Sequence, residues 1–372
     1  MKLGVIGYGS RIKNVIKSIQ KEDSACVVHA IADIRQNVVV EGFEEGAVPV
    51  YSTPEAMLAA EQLDGILIGT RCSLHTEMAL KVLPTGIPLF LEKPVATTME
   101  DACRLKAGGE AGKSKVVVSF PLRVTAPVQL VKEIIDSGKI GTVEHVQAIN
   151  NVPYGGVYFH NWYRDENETG GLFLQKATHD FDYIQYVLGL RPTQVCAMTS
   201  KQVFKGTKPA GLKCADCEEN RTCPDSTVHG PQKNTSWAYC SFAEDTGNED
   251  SGSALIRYET GMHVSYSQNF FARRSAGTRG ARFIGYKGTV DFDFFTNEVK
   301  VIMHHTPRTE MHRFESSQDH FGGDAVLARS FIGLMKGEGE SISPLQGGLD
   351  SALLCLKARE SAQTGTFQAV EW

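Results

Sequence analysis

No stretch of the sequence approaches the roughly 18 consecutive apolar residues that a membrane span requires. Neither sign of charge dominates: 38 Lys and Arg stand against 43 Asp and Glu, a formal charge of −5. The chain also lacks the basic stripe that would recruit nucleic acid. Internal repeats, low-complexity tracts and heptads are missing, which sets aside solenoids and coiled coils. The opening MKLGVIGYGS enters a strand directly and has no signal-peptide pattern, so the expectation is a cytoplasmic protein without membrane or nucleic-acid partners. Disulfide-type cysteine spacing is scarce as well. Most of the nine cysteines, such as Cys26, Cys103 and Cys355, sit alone in apolar segments and read as core residues of a reducing compartment. What is present, 42% hydrophobic and 22% charged residues over 372 positions, describes an ordinary globular chain long enough for two domains.

Lys2 to Ile6 is a β-rich run ending in Gly7, Tyr8 and Gly9, after which Ser10 and Arg11 open a stretch where Ile12, Val15, Ile16 and Ile19 recur at helical spacing. A second apolar run, Cys26 to Ala32, ends in Asp33, 24 residues after Gly9. Strand, glycine turn, helix, strand and acid in this order make a dinucleotide-binding unit: glycines let the backbone approach a pyrophosphate, and the helix start supplies free N–H groups and positive dipole. The third glycine of G-x-G-x-x-G is replaced by Ile12. Asp33 favours NAD, because a carboxylate would repel a 2′-phosphate, while Arg35, just past Ile34, keeps NADP open. Strands at Gly65 to Ile68, Leu89 to Leu91 and Val116 to Ser119 alternate with helices at 54–60, 75–83 and 99–107, which predicts a doubly wound parallel α/β sheet. Ligands of such sheets sit at the carboxyl ends of the strands, where Gly69, Thr70 and Arg71 follow one strand and Glu92, Lys93 and Pro94 another.

With the glycine turn, Asp33, the turn from Thr70 to His75 and Glu92-Lys93-Pro94 in that order, the sequence resembles the Gfo/Idh/MocA family. Phe120-Pro-Leu-Arg123, the segment GGLFLQKATHDFDYIQYVLG from Gly170 and FIGYKGTVDF from Phe283 extend the resemblance over almost the whole chain. The resemblance implies a two-domain oxidoreductase that uses NAD, or NADP, on sugars, polyols or their derivatives. Residues 1–122 would form the Rossmann domain. Residues 123–372 would form a substrate-binding and oligomerisation α+β domain whose open-faced, mostly antiparallel sheet builds a homodimer or homotetramer. A helix at about 345–364 is expected to pack back on the first domain. The cofactor would lie among residues 7–12, 33–35, 69–71, His75 and 92–94.

Oxidation of a secondary alcohol needs a base beside the oxygen while hydride leaves carbon. Lys93 is assigned that role, since burial and a nearby cation lower a lysine pKa. His179 is its implied partner from the helix motif, on one helical face with Gln175, Lys176, Asp182 and Tyr183. Asp182 is expected to orient the imidazole. Gln175 stands where inositol dehydrogenase-like members have an aspartate, so it can bond a sugar hydroxyl but cannot take a proton; Lys176 would support the relay or recognise an anionic group. Arg123, Trp162 and Tyr163, with Tyr158, His160, Asn161 and Arg164 nearby, are candidate sugar contacts, Trp162 and Tyr163 being equally readable as core aromatics. His320-Phe-Gly-Gly-Asp324 is a turn that fits against a ligand or simply caps a helix with Asp324. Two other readings fit the same residues: a redox-neutral glycosidase or epimerase working through transient oxidation, and a non-catalytic sugar or cofactor sensor, against which Lys93 and His179 argue.

Cys214-Ala-Asp-Cys217 and Cys223 lie in a polar insert at about 205–234 and have spacing suited to a structural zinc, with His229 or Cys240 as fourth ligand. An iron–sulfur cluster or free thiols are the alternatives.

Overall fold

The computed structural model describes residues 1–372 except 41, 43, 45, 46, 231–233, 235, 316 and 317, and except the side chains of 318 and 319. The first domain alternates β1 (Lys2–Ile6), α1 (Ser10–Glu22), β2 (Val27–Ala32), β3 (Val50–Tyr51), α2 (Pro54–Ala60), β4 (Gly65–Ile68), α3 (His75–Val82), β5 (Leu89–Leu91), α4 (Met99–Ala111) and β6 (Val116–Val118). All strand pairs are parallel in the order β3-β2-β1-β4-β5-β6, so the chain reverses direction between β1 and β4 and leaves a crevice at the carboxyl ends of those two strands. The runs GILI, LFL and VVV of β4, β5 and β6 are buried throughout, as helices on both faces require. Ile12, Val15, Ile16 and Ile19 of α1 form the predicted buried stripe. Thr53 and Thr98 accept from Ala56 and Asp101 N–H and fix the starts of α2 and α4.

The second domain contains α5 (Ala126–Asp136), β7 (Val143–Asn151), the single-turn helices α6 (Val157–His160) and α7 (Glu166–Thr169), α8 (Thr178–Leu188), β8 (Pro192–Ser200), β9 (Ser251–Tyr258), β10 (His263–Asn269), β11 (Thr278–Gly285), β12 (Gly288–Asp293), β13 (Glu298–Met303) and β14 (Thr309–Arg313). After them come α9 (Gln318–Phe321), α10 (Gly323–Met335), α11 (Leu345–Thr364) and β15 (Gln368–Ala369). Nine strands form one sheet, β14-β13-β12-β11-β7-β10-β9-β8-β15, antiparallel except for β7 with β10. One face packs on α8 and α11; on the strands Ile149, Met198, Leu255 and Met311 remain exposed.

The C-terminal helices return to the first domain. Leu327, Ala328 and Phe331 of α10 share a core with Leu3, Val5 and Ile16, and the Phe331 ring meets Phe90 edge-on at 5.7 Å. α11 occupies 345–364 as expected, and it packs on α8 and β8 as well as on α4 and β6. It joins the two domains rather than capping one. The polar insert spans the whole interval from β8 to β9, beyond the 205–234 expected, and its residues 231–233 and 235 lie outside the described residues. Among the described residues no helix is long and apolar enough to cross a membrane.

Candidate active site

The turn after β1 is shaped for close approach. Gly7 has φ +80°, and a Cβ there would fall within 3 Å of Thr70 backbone and side chain. A Cβ at Gly9 would meet nothing closer than Gly69 O at 3.5 Å, and α1 begins without a side-chain cap, so its first N–H groups remain available. Ile12, expected in the cofactor set, is instead fully buried against Gly69, where an added Cβ would lie 2.6 Å from that of Ile12. The small residue needed for close packing has moved from the helix to the strand end. Asp33 ends β2 and accepts from Tyr8 N–H at 2.9 Å and from the Arg35 guanidinium at 2.8 and 3.0 Å. Ile34 projects almost fully into solvent. Gly7, Gly9, the start of α1 and Asp33 thus fit a dinucleotide.

At the end of β5, Glu92 and Lys93 diverge. Glu92 accepts from Arg11 Nε at 2.9 Å; the other guanidinium nitrogens reach Ser119 Oγ at 3.1 Å and Asp324 at 2.7 and 2.9 Å. Arg11, expected at the cofactor, therefore ties the turn to α10. Asp324 also accepts from His320 Nδ1 at 2.8 Å. Burial would raise its pKa, but the bonds from Arg11 and His320 hold it well below the carboxylate range. His320 and Phe321 have positive φ, 49° and 56°, and Gly323 lies so close to Pro121 O that any Cβ would clash, a strained turn held at both ends. His75, the other expected cofactor contact, lies under the turn: its Nδ1 donates to Pro94 O at 2.7 Å, and the Lys93–Pro94 bond is cis. Burial lowers its pKa, which keeps the ring neutral.

Lys93 crosses to the second domain and donates to Gln175 O at 2.9 Å. Burial, then the charge of Lys176, pushes its pKa down to about 8. Gln175 lies in a π-helical segment, Phe173–Ala177, which leads into α8; such wide turns are frequent at functional sites. Glu249 anchors its start by accepting from Leu172 and Phe173 N–H at 2.9 and 3.2 Å. The Gln175 amide nitrogen is spent on Thr169 O and Cys72 Sγ, so its backbone rather than its side chain serves the site. His179 is buried with its Nδ1 unpartnered, its ring 5.8 Å from Phe120 and 6.5 Å from His320. Burial, then Lys93, Arg279 and Lys176, lowers its pKa well below the usual value, so it is neutral.

Two assignments are corrected. Asp182 does not orient His179, and Arg123 does not face a substrate: the two form a buried ion pair, with Arg123 Nε on Asp182 Oδ2 at 2.9 Å and the second guanidinium nitrogen on Oδ1. Asp182 is on the α8 face turned toward the 3₁₀ turn Pro121–Val124, where only a cation could satisfy it. Sequence reasoning also missed Tyr154 and Arg279. Lys176 donates to Tyr154 OH at 2.6 Å, and β-sheet register places Asn150 opposite Arg279 so that both bond Asp180 of α8, at 2.8 Å each. Asn150 and Arg279 are distant in sequence and only the β7–β11 pairing brings them together, while Tyr154 comes from the loop after β7.

Trp162 and Tyr163 stand at the cleft, stacked with centroids 3.8 Å apart, and the Arg71 guanidinium covers Trp162 at 3.8 Å. Arg164 and His160 turn away to hold the insert, Arg164 on Asp245 and Thr246, His160 Nδ1 on Tyr239 O at 2.6 Å. The zinc expectation is not supported: among the described residues no group of three or more His, Cys, Asp or Glu is arranged to hold a metal. Backbone bonds do the folding instead, with Cys214 N–H on Ala238 O and Cys240 N–H on Leu212 O, both at 2.8 Å, while Cys217, Cys223 and the rest are free thiols and His229 is exposed.

A family model described as the NAD-binding Rossmann fold of an oxidoreductase family matches residues 1–120, and one for the GFO/IDH/MocA C-terminal domain matches residues 128–291. Similar proteins include the oxidoreductase YteT of Bacillus subtilis (strain 168), 27% identical over 331 residues, 77% of this chain and 76% of that protein. Myo-inositol 2-dehydrogenase of Thermotoga maritima is 27% identical over 217 residues, 57% of this chain and 62% of that protein. A levoglucosan dehydrogenase solved in complex with NADH and levoglucosan has the same fold, with a TM-score of 0.79 at 18% identity over 100% of both chains. The Rossmann crevice, the Glu-Lys-Pro turn and the helix bearing His179, matched across both domains, place the chain in the Gfo/Idh/MocA family of NAD-binding oxidoreductases.

Proposed function

We propose that the protein is a dehydrogenase that transfers hydride between a nicotinamide cofactor and a secondary alcohol of a sugar or polyol. The observation that carries this reading is the partly buried Lys93, held by Gln175 O at 2.9 Å and with a pKa pushed down to about 8, beside a neutral His179. A dinucleotide would lie along Gly7, Gly9 and the start of α1 with its ribose toward Asp33. Nicotinamide supplies the hydride acceptor. The amine of Lys93 takes the hydroxyl proton as the carbonyl forms, and its ammonium returns that proton in reduction. His179 hydrogen-bonds the same or the neighbouring hydroxyl and, being neutral, leaves the charge change to Lys93. Arg71, Trp162 and Tyr163 close one wall of the cleft and offer flat faces to a sugar ring.

Asp33 favours NAD, because a 2′-phosphate would have to draw Arg35 off the carboxylate. The exposed Ile149, Met198, Leu255 and Met311 on one sheet support association of subunits through that face, which sedimentation would test. The function is tested by mixing purified protein with NAD or NADP and a panel of sugars, polyols and their derivatives and following reduced-cofactor absorbance. Cofactor reduction by one of them, lost in Lys93→Met, is the expected outcome; a protein that binds cofactor and reduces none with any member of the panel would sink the assignment.

A further inference from the structure

Four cationic or neutral nitrogen groups crowd the second-domain wall of the cleft with few acceptors among them. The Lys176 ammonium, 95% buried, has three donors and meets one uncharged oxygen, Tyr154 OH at 2.6 Å. The Lys93 ammonium likewise meets the Gln175 carbonyl. Arg279 is buried with Nη2 unpartnered, and His179 is buried with Nδ1 unpartnered. The two carboxylates near this group are already engaged: Asp180 accepts from Arg279 Nε, Asn150 Nδ2 and Tyr266 OH at 2.8 Å each, and Glu92, beside Lys93, accepts from Arg11 Nε at 2.9 Å. These groups feel one another, since Lys176 and Arg279 both depress His179, and Lys176 depresses Lys93.

A buried cation without a counter-ion is costly, and here two ammonium groups and a free guanidinium N–H share one wall. A neutral polyol would answer the hydrogen bonds but leave the charge. An anion answers both. Lys176 follows Gln175, whose carbonyl positions Lys93, so a group held by Lys176 lies on the same substrate that Lys93 deprotonates. Tyr154, 46% exposed, marks where Lys176 opens toward solvent.

We infer that the substrate is a sugar acid, whose carboxylate is bound by Lys176 while Lys93 and His179 act on a hydroxyl of the same molecule; the Arg279 guanidinium, closed off from solvent, adds its positive charge from behind. This deepens the dehydrogenase reading and rests on it for the hydroxyl step. The carboxylate is a binding group and takes no part in the redox balance: hydride leaves the carbinol carbon for the nicotinamide and the proton leaves its oxygen for Lys93.

The test compares matched pairs, galacturonate against galactose and glucuronate against glucose, by calorimetric titration of the protein alone and saturated with NADH, and by turnover with NAD or NADP. The expected result is that at least one acid binds about 10- to 100-fold more tightly than its neutral partner, the worth of a charged hydrogen bond. In Lys176→Met the acid-to-neutral ratio falls toward one, and in Lys176→Arg part of it returns. Equal or weaker binding of both acids in the wild type overturns the inference, and that comparison needs no variant to fold. A ratio that survives in a folded Lys176→Met also overturns it. Failure of the dehydrogenase reading looks different: NADH does not bind, or no sugar of either kind is oxidised, whatever the ratio of affinities.

Discussion

Arg11 and Lys93 lie on either side of Glu92 in space, yet their surroundings treat them in opposite ways. Arg11 is surrounded by carboxylates and hydroxyls: Glu92, Asp324 and Ser119 take its donors, and His320 closes the set through Asp324. Arg123 and Asp182 repeat that arrangement deeper in the second domain. Lys93, partly buried, and Lys176, buried, reach only a carbonyl and a phenol. Paired buried charges are locked in one protonation state and serve as scaffold, whereas an unpaired one has its pKa moved toward neutrality and can exchange a proton. The comparison separates residues whose loss should cost stability from those whose loss should cost activity.

Lys93→Met should break activity most. Loss of a positioned acid/base lowers kcat by about 10²–10⁴-fold, which steady-state cofactor reduction would measure. Its stability should move the other way. Burial lowers the folded pKa of Lys93 from 10.5 to about 8, so between those values the unfolded chain binds more protons and wild-type stability rises with pH. Lys93→Met should therefore melt above the wild type at neutral pH, with a margin that shrinks as pH climbs from 8 toward 10.5. A variant that melts below the wild type at neutral pH would contradict the claim that this charge is unpaired.

Arg123→Leu is the opposite case. It leaves the Asp182 carboxylate buried without its cation, which costs about 3–5 kcal/mol in a denaturant titration. Burial already pushes Asp182 up to about 6 despite the arginine, so the variant should recover part of that loss on acidification as the carboxyl takes a proton. The folded fraction should keep kcat within a few-fold, because neither residue touches His179.

On the proposed mechanism, alcohol oxidation by the wild type needs Lys93 as the amine. The rate should rise tenfold per pH unit below about 8 and level above it, and carbonyl reduction should show the mirror dependence, falling above about 8. A pH-independent rate across that range would remove Lys93 from the proton step.

The sequence carried the first domain well because its signals are local. Strand runs, the Gly7 turn and Asp33 each depend on neighbours in the chain, and they carried the parallel α/β sheet but not the short strand β3 or the strand order. Lys93 and His179 were named as candidates from short motifs. It misread Arg123 and Asp182, since a charged residue near a motif reads as functional until its counter-ion is known, and that counter-ion is 59 residues away. Ile12 looked like a defect in the glycine motif because its compensation, Gly69, sits on another strand. Tyr154 and Arg279 had no signal at all: Arg279 meets Asp180 through the register of β7 with β11, which is not written in either strand alone, and Tyr154 meets Lys176 from the loop after β7. The cysteine spacing suggested a metal, for which no arranged group of ligands is found among the described residues.

The smallest effect tests where the two clusters meet. Glu92 belongs to the paired set, but its carboxylate raises the pKa of Lys93 while the Arg11 charge lowers it. In Arg11→Met the lowering charge is gone and Glu92 loses the cation that neutralises it, so both changes act in the same direction. The Lys93 pKa should climb above about 8 and the rising limb of alcohol oxidation should move to higher pH, by about one unit or less for charges this close in a partly screened site. Stability should fall as well, because Glu92 and Asp324 are buried and are left without that cation. A limb that stays in place, or moves to lower pH, would mean that the paired cluster is scaffold alone, electrically separate from the lysine beside it.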